Sequence, residues 1–312
     1  MTDRHILSNR PLTRRSALVG GAGLLGLGLA ACSGNATTGG DSGGSGDGDK
    51  TITMGYVPSW TDGLSTAYLL DNQLGQMGYT VKHQEIEEPA ALYAGLAKGD
   101  IDVYPSAWPE VTHKEYMDKY GDDIDDLDTY YGNAVLTIAV PKYTDIDSIE
   151  DLKGKGDMFG GKIIGIEPGA GLTKATKDSM MPTYELEDEY ELVTSSTTAM
   201  LSELKKATDG EKDIVVTLWR PFWANTAFPV KDLKDPEGAM GEKEGLHFLG
   251  KKGFADEFPD VAEYIGGIKL DDKQYNDLED LVVNEYGKGK EPEAVEKWLD
   301  DNPDVLPEIK ES

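Results

Sequence analysis

The chain has 312 residues and carries 58 acidic against 30 basic side chains, for a net charge of −28. That length fits one large or two ordinary domains, and a surface this acidic excludes nucleic acid and anionic lipid headgroups as partners. A single cysteine, Cys32, excludes an internal disulfide framework and any multi-cysteine metal site.

Residues 1–32 read as an address. Arg4, Arg10, Arg14 and Arg15 precede an apolar, Gly-rich run from Ala17 to Ala31, and Arg220 is the only arginine after them. A run of about 15 residues is shorter than the roughly 20 that span a bilayer, and its flanks suit a signal peptide. Leu29-Ala30-Ala31-Cys32 resembles the bacterial lipobox, which makes Cys32 the expected lipid attachment point and new N-terminus. Thr13-Arg14-Arg15-Ser16-Ala17-Leu18 is similar to a twin-arginine export signal. Ala17 and Val19 depart from that pattern, so the general secretory route stays open. By either route the mature chain is expected outside the cytoplasm, anchored to the membrane as a lipoprotein. Residues 33–50 are mostly Gly, Ser and Asp with almost no apolar side chain. They predict a flexible tether with a reach of roughly 20–25 Å, an arrangement suited to delivery to a membrane partner.

From Thr51 onward strands alternate with amphipathic helices. Strands are expected at Thr51–Val57, Thr80–Ile86 and Ile101–Tyr104, with helices at Ser65–Met77 and Ala90–Lys98, each stopped by a glycine (Gly78, Gly99). This β-α-β-α-β order predicts a parallel sheet with right-handed crossovers. Leu136–Val140 reads as a strand ending at Pro141. A second set follows: strands at Lys162–Ile166, Tyr190–Val193 and Asp213–Leu218, and helices opening at Gly169-Ala170-Gly171-Leu172 and at Thr198–Ala207. After about Gly245 the chain reads as mainly helical, at Pro259–Ile265, Asp271–Tyr286 and Glu291–Leu299. The fold class is therefore α/β and two-lobed. Lobe 1 is 51–140 plus 245–312, lobe 2 is 141–244, and the crossings lie near 135–142 and 240–247. Ligands of such proteins sit in the interlobe cleft, which closes by a hinge motion.

Three tryptophans stand at strand ends. Trp60 lies in Gly55-Tyr56-Val57-Pro58-Ser59-Trp60-Thr61-Asp62-Gly63, Trp108 in Ser106-Ala107-Trp108-Pro109-Glu110-Val111-Thr112-His113, and Trp219 in Leu218-Trp219-Arg220-Pro221. One tryptophan is ordinarily core, but three before turns at the C-terminal edge of a sheet lie where α/β proteins bind ligands. Indole faces attract quaternary ammonium groups by roughly 0.5–2 kcal/mol per ring. Such a cation has no hydrogen-bond donor, so an aromatic cage competes with water for it. His113 is placed to reach the ligand's anionic end. Trp223 is read as packing behind Trp219, and Trp298 as core. The glycines of Gly165-Ile166-Glu167-Pro168-Gly169-Ala170-Gly171-Leu172-Thr173 open a helix whose free amides suit an anion, with no phosphate-loop lysine and serine after them. His5, His83, His113 and His247 show no metal-binding spacing, and no serine sits in a nucleophile elbow. No metal, no cofactor and no catalysis are expected. Asp62 either accepts from a ligand hydroxyl or caps a helix starting near Gly63, and the cap is the favoured reading. The clusters Asp122-Asp123, Asp125-Asp126 and Glu187-Asp188-Glu189 read as solvated faces.

Taken together, Gly99-Asp100-Ile101-Asp102-Val103 running to Trp108 and Thr112-His113, the Gly165-to-Gly171 loop, and Leu218-Trp219-Arg220-Pro221 with Trp223 resemble the glycine betaine/proline betaine substrate-binding proteins of ABC importers. The resemblance covers essentially residues 51–305 and implies the two-lobed periplasmic-binding-protein fold of type II. It implies that Trp60, Trp108 and Trp219 form a prism around trimethylammonium, and that the amides of Gly171 and Leu172 with the His113 side chain hold the carboxylate. It also implies a permease and its ATPase as partners, and osmoprotective uptake as the role. Two departures stand out. Pro109-Glu110 replaces the family's usual Leu-Pro, and the strand placed at Leu136–Val140 lacks the tyrosine that choline-binding relatives use. Asp62, however, matches the acid of those relatives, so choline and carnitine remain alternatives. From other classes, a secreted hydrolase using a carboxylate and His113, or a tethered sensory or adhesive module, stays open.

Overall fold

The computed structural model describes residues 50–310; the expected signal peptide, Cys32 and nearly all of the expected tether lie outside them. Nine strands form one sheet in the order β2-β1-β3-β9-β4-β7-β5-β6, with β8 beside β4. The strands are β1 (Thr51–Tyr56), β2 (Thr80–Glu85), β3 (Val103–Ala107), β4 (Ile124–Pro141), β5 (Lys162–Ile164), β6 (Glu191–Val193), β7 (Val216–Arg220), β8 (Val230–Asp232) and β9 (Glu244–Lys251). The helices are α1 (Thr61–Gln76), α2 (Pro89–Lys98), α3 (Lys114–Tyr120), α4 (Gly171–Lys174), α5 (Met181–Thr183), α6 (Thr197–Asp209), α7 (Ala224–Ala227), α8 (Phe254–Glu257), α9 (Pro259–Gly266), α10 (Asp272–Asp280) and α11 (Glu291–Asp301). A π-helical stretch, Ala175–Met180, joins α4 to α5.

The opening β-α-β-α-β unit is as the alternation of apolar runs implies: β1 pairs parallel to both β2 and β3. Ile52 and Met54 point into the core from β1, while β3, flanked on both sides, is buried along its whole length. Helix α2 has proline in its first turn and stops at Gly99, whose positive φ of 77° places it in the left-handed region. A second parallel set, β7-β5-β6, repeats the logic.

The two sets are joined through β4. Its first part, from Ile124 to Ala134, pairs antiparallel with β9, and its last part, from Val135 to Pro141, pairs with β7 and β8. The change of partner between Ala134 and Val135 divides the sheet into two halves, and three register shifts along β4 and β9 precede it. The β4 strand is 18 residues long and begins well before Leu136, where the sequence pattern places it. Its acidic start reads as solvated, yet Asp125 meets Lys252 at 3.0 Å and Asp126 meets His247 at 2.9 Å. Those pairings let the carboxylates sit on a strand.

The expectation of a mainly helical chain after Gly245 needs correction. Glu244–Lys251 is a strand lying between β3 and β4, buried along nearly its whole length. The acid and the histidine that mask its apolar pattern are both satisfied, Glu244 by the amides of the loop after β3 and His247 by Glu110 of that loop and Asp126 of β4. Beyond it α9, α10 and α11 form as the helical spacing predicts, and Trp298 is fully buried with its indole N–H donating to the Gln274 carbonyl at 2.8 Å. No helix among the described residues is long and apolar enough to cross a membrane.

Candidate functional site

Each of the three strand-end tryptophans faces the same hollow. Trp60 ends the tight turn after β1, its amide donating to the Val57 carbonyl at 3.0 Å; Trp108 directly follows β3; Trp219 is the next-to-last residue of β7. Together with Asp62, Thr112, His113, Leu136, Ile166, Ala170, Gly171 and Leu172 they line a cavity of about 330 Å³, counted to its open mouth. All seven residues singled out from the sequence lie on its wall.

Two of the rings are held at an edge and the third from behind by its outer face, which leaves each a face toward the cavity. The Trp60 indole N–H donates to Glu167 Oε2 at 3.0 Å, and the Trp108 indole N–H donates to Asp62 Oδ2 at 3.1 Å. Trp219 stacks on Phe222 with centroids 3.9 Å apart and sits opposite Leu136 in the β4–β7 ladder. The ring behind Trp219 is therefore Phe222. Trp223, expected in that place, lies one ring further out, edge-on to Phe222. Leu136 supplies the wall where a tyrosine was sought. The tyrosines of β4, Tyr130 and Tyr131, stand lower on the strand and outside the cavity lining.

Asp62 is not a helix cap. Helix α1 begins at Thr61 with Trp60 at its cap position and no side-chain capping bond, so Asp62 falls in the first turn and turns its carboxylate toward the cavity floor. Ser106 Oγ donates to it at 2.7 Å, and Tyr130 OH in turn donates to Ser106 at 2.8 Å. Burial pushes the Asp62 carboxyl up, against the hydrogen bonds from Trp108 and Ser106 that hold it down. Beneath it Glu279 is fully buried and accepts from Thr61 Oγ1, while its Oε2 has no partner among the described residues. Burial pushes the Glu279 carboxyl up to about 8.

His113 caps α3 and is almost wholly buried. Its Nδ1 receives the Trp108 backbone N–H at 3.1 Å and lies 2.9 Å from the Tyr93 hydroxyl. A backbone amide can only donate, so Nδ1 must carry a lone pair and the proton must sit on Nε2. Burial lowers the pKa to about 3, so the ring is neutral at physiological pH. Nε2–H makes no hydrogen bond among the described residues, and the ring lines the cavity. It is a fixed, neutral donor.

The opposing donors come from the start of α4, whose first amides have no intrahelical acceptor. Glycine is required at 171: a Cβ there would lie 1.9 Å from the Thr112 carbonyl oxygen. The Pro109-Glu110 turn is held from behind by Glu244, which accepts from the amides of Val111 and Thr112 at 3.0 Å each. His247 braces it further, with Nε2 at 2.8 Å from Glu110 and Nδ1 at 2.9 Å from Asp126. Burial works against charge on His247, but the two carboxylates outweigh it and hold the ring above the ordinary histidine range. No group of three or more potential metal ligands occurs among the described residues.

Sequence reasoning passed over Glu167, Leu136, Ile166 and Thr112. Glu167 and Ile166 stand inside the glycine loop already singled out, and Thr112 precedes His113. Nothing in a strand pattern marks Leu136 as facing a cavity.

A family model described as the substrate binding domain of the ABC-type glycine betaine transport system matches residues 50–301. The chain is 36% identical over 157 residues to the glycine betaine/carnitine transport binding protein GbuC of Listeria monocytogenes, a match spanning 49% of this chain and about half (50%) of that relative. Among solved structures, the glycine/betaine/L-proline-binding protein ProX from Borrelia burgdorferi superposes with a TM-score of 0.75 at 32% identity, covering 83% of this chain and 97% of that one. Lactococcal OpuAC in its closed-liganded conformation with glycine betaine gives 0.73 at 29%, covering 82% and 97%. A choline binding protein in complex with choline shares the fold, with a TM-score of 0.73 at 24% identity and coverage of 82% and 89%. The fold shared with these relatives is two-lobed and α/β.

Proposed function

The chain belongs to the family of substrate-binding domains of ABC-type glycine betaine transport systems, and from that premise we propose that it captures glycine betaine or proline betaine outside the cytoplasm for import. The observation that carries this reading is that two unlike sets of groups line one hollow. Three indoles present faces to it. The neutral His113 Nε2–H from one half and the first amides of α4 from the other present donors. A methylated ammonium gains from the rings, and a carboxylate gains from the N–H groups.

The mechanism is binding with closure and involves no covalent chemistry. Trp60, Trp108 and His113 belong to one half of the sheet, and Trp219, Gly171 and Leu172 to the other. A ligand touching both halves favours the closed form differentially. The hinge is proposed where β4 changes partner and where the chain returns into β9. On that division lobe 1 takes 51–134 plus 244–312 and lobe 2 takes 135–243, so the end of β4, which pairs with β7 and β8, falls in lobe 2 and not in lobe 1 as its place in the sequence implies. Lipid attachment at Cys32 and the tether through residue 50 keep the domain beside its permease and ATPase. Calorimetric titration with glycine betaine tests the proposal: a saturable heat supports it, and no saturation up to millimolar ligand contradicts it.

One observation favours a second ligand. Asp62 stands on the cavity wall, and the side-chain donors from Ser106 and Trp108 both fall on Oδ2, so Oδ1 takes no side-chain donor among the described residues and can accept from the hydroxyl of choline or carnitine. Competition between choline and glycine betaine, repeated in Asp62→Ala, separates the two. Choline is the ligand if it displaces betaine and loses more affinity on substitution.

A further inference from the structure

We infer that Glu167 is a positioning residue that latches the two halves of the sheet and sets the Trp60 ring in the cage only when the cleft is shut. The inference rests on the betaine reading and concerns how that site closes.

Glu167 lies in the loop between β5 and α4, in the second half, and is almost fully buried. Its carboxylate accepts four hydrogen bonds, distributed in a particular way. Oε1 accepts from Ser59 Oγ at 3.0 Å and from the Thr197 amide at 2.9 Å. Oε2 accepts from the Trp60 indole at 3.0 Å and from Thr197 Oγ1 at 2.9 Å. Each oxygen thus takes one donor from its own half and one from the other. The residue's carbonyl is also fixed locally, accepting from Thr173 Oγ1 at 2.8 Å and the Ala170 amide at 3.0 Å.

The consequence is a carboxylate preset by its own half, with one acceptor position on each oxygen left for closure to fill. When the cleft opens, Ser59 and Trp60 move away with their half, and water takes their place. On closing, two charge-assisted bonds form in a space from which water is excluded. All four donors are neutral, so no cation competes for the carboxylate. One of the two closing bonds is made by a ring that is itself part of the cage wall and stacks over His113 with centroids 5.7 Å apart. Occupying the cage and closing the cleft are therefore coupled through a single side chain. Other contacts cross the cleft, such as Tyr116 OH to the Gly169 carbonyl at 2.6 Å and Lys174 to Glu115 at 3.5 Å, but neither touches a cage ring.

Stopped-flow tryptophan fluorescence with glycine betaine, on the full chain and on Glu167→Gln and Ser59→Ala, tests the latch. The amide of Glu167→Gln turns donors toward donors at unchanged volume. Encounter occurs with the open form and release requires opening. Glu167→Gln is thus expected to release betaine about tenfold or more faster while its association rate stays within about twofold of wild type. Ser59→Ala changes release in the same direction by less, and the double variant is no worse than Glu167→Gln alone. A folding defect would instead reduce the active fraction and leave both rate constants unchanged, and Ser59→Ala carries the test if Glu167→Gln does not fold. Wild-type release in both variants, or a change confined to association, overturns the latch alone. A wild-type chain that binds no betaine overturns the functional reading and the latch with it.

Discussion

Replacing Gly171 by alanine asks whether the cavity works only when shut. The added methyl carbon would sit 1.9 Å from the Thr112 carbonyl oxygen and 2.7 Å from both the Thr112 carbonyl carbon and Cγ2. Two of these are backbone atoms, in a segment pinned through the Val111 and Thr112 amides to Glu244, so no side chain can swing aside. Ordinary contact begins near 3.4 Å, and the two walls must therefore separate by about 1.5 Å. A hydrogen bond of about 2.9 Å does not survive that displacement, so the carboxylate can reach either His113 or the α4 amides but not both. Losing one or two charge-assisted bonds, at about 1.5–3 kcal/mol each, corresponds to a loss of about tenfold or more in affinity. The clash exists only between closed halves, so the ligand-free melting temperature should be unchanged to within about 2 °C by circular dichroism, while calorimetry with glycine betaine shows the loss. Wild-type affinity in Gly171→Ala would refute the reasoning, because it would mean that the donors act without this approach of the walls.

Further outcomes follow from the same geometry. Trp108→Ala and Trp219→Ala should each weaken betaine binding about tenfold or more with little effect on folding; unchanged affinity in both would remove the cage. Trp298→Ala should do the reverse, costing about 3–5 kcal/mol in urea unfolding in a protein whose site is intact. His113 should stay neutral and in its Nε2–H form down to about pH 4, as read from imidazole nitrogen shifts by NMR, since burial lowers its pKa to about 3; a doubly protonated ring at pH 6 contradicts the assignment. Glu279 has the opposite sign. Its folded pKa of about 8 lies above the unfolded carboxylate value, so the native state holds the extra proton between those limits and this contribution to stability declines as pH rises toward 8. Glu279→Gln keeps an acceptor for Thr61 and removes that decline, so the stability difference between wild type and variant should shift in favour of the variant from pH 6 to pH 8. A difference that does not change with pH over that range contradicts it.

The cage was legible in the sequence because each tryptophan closes an apolar run just before a turn, and strand ends of one sheet converge. His113 was legible only as a position. Its tautomer follows from the Trp108 amide, a contact that depends on the turn at Pro109-Glu110. What escaped notice was polar and satisfied by distant partners. The acids at the start of β4 read as a solvated face, and β9 falls where the chain reads as mainly helical, until Asp126, Glu110 and His247 are brought together. Helix α1 starts four residues earlier than its apolar spacing indicates, because Trp60, with no capping side chain, occupies the cap. Glu167 looked like one more acid in an acidic chain. Its role requires Ser59 and Trp60 from one half and Thr197 from the other, and no local pattern encodes that meeting.

The most direct measurement is a crystal structure with glycine betaine bound. The account predicts the trimethylammonium group packed against the faces of Trp60, Trp108 and Trp219, and the carboxylate within hydrogen-bond distance of His113 Nε2 and the Gly171 and Leu172 amides. A ligand seated with its carboxylate among the indoles, or bound outside this cavity, would contradict it.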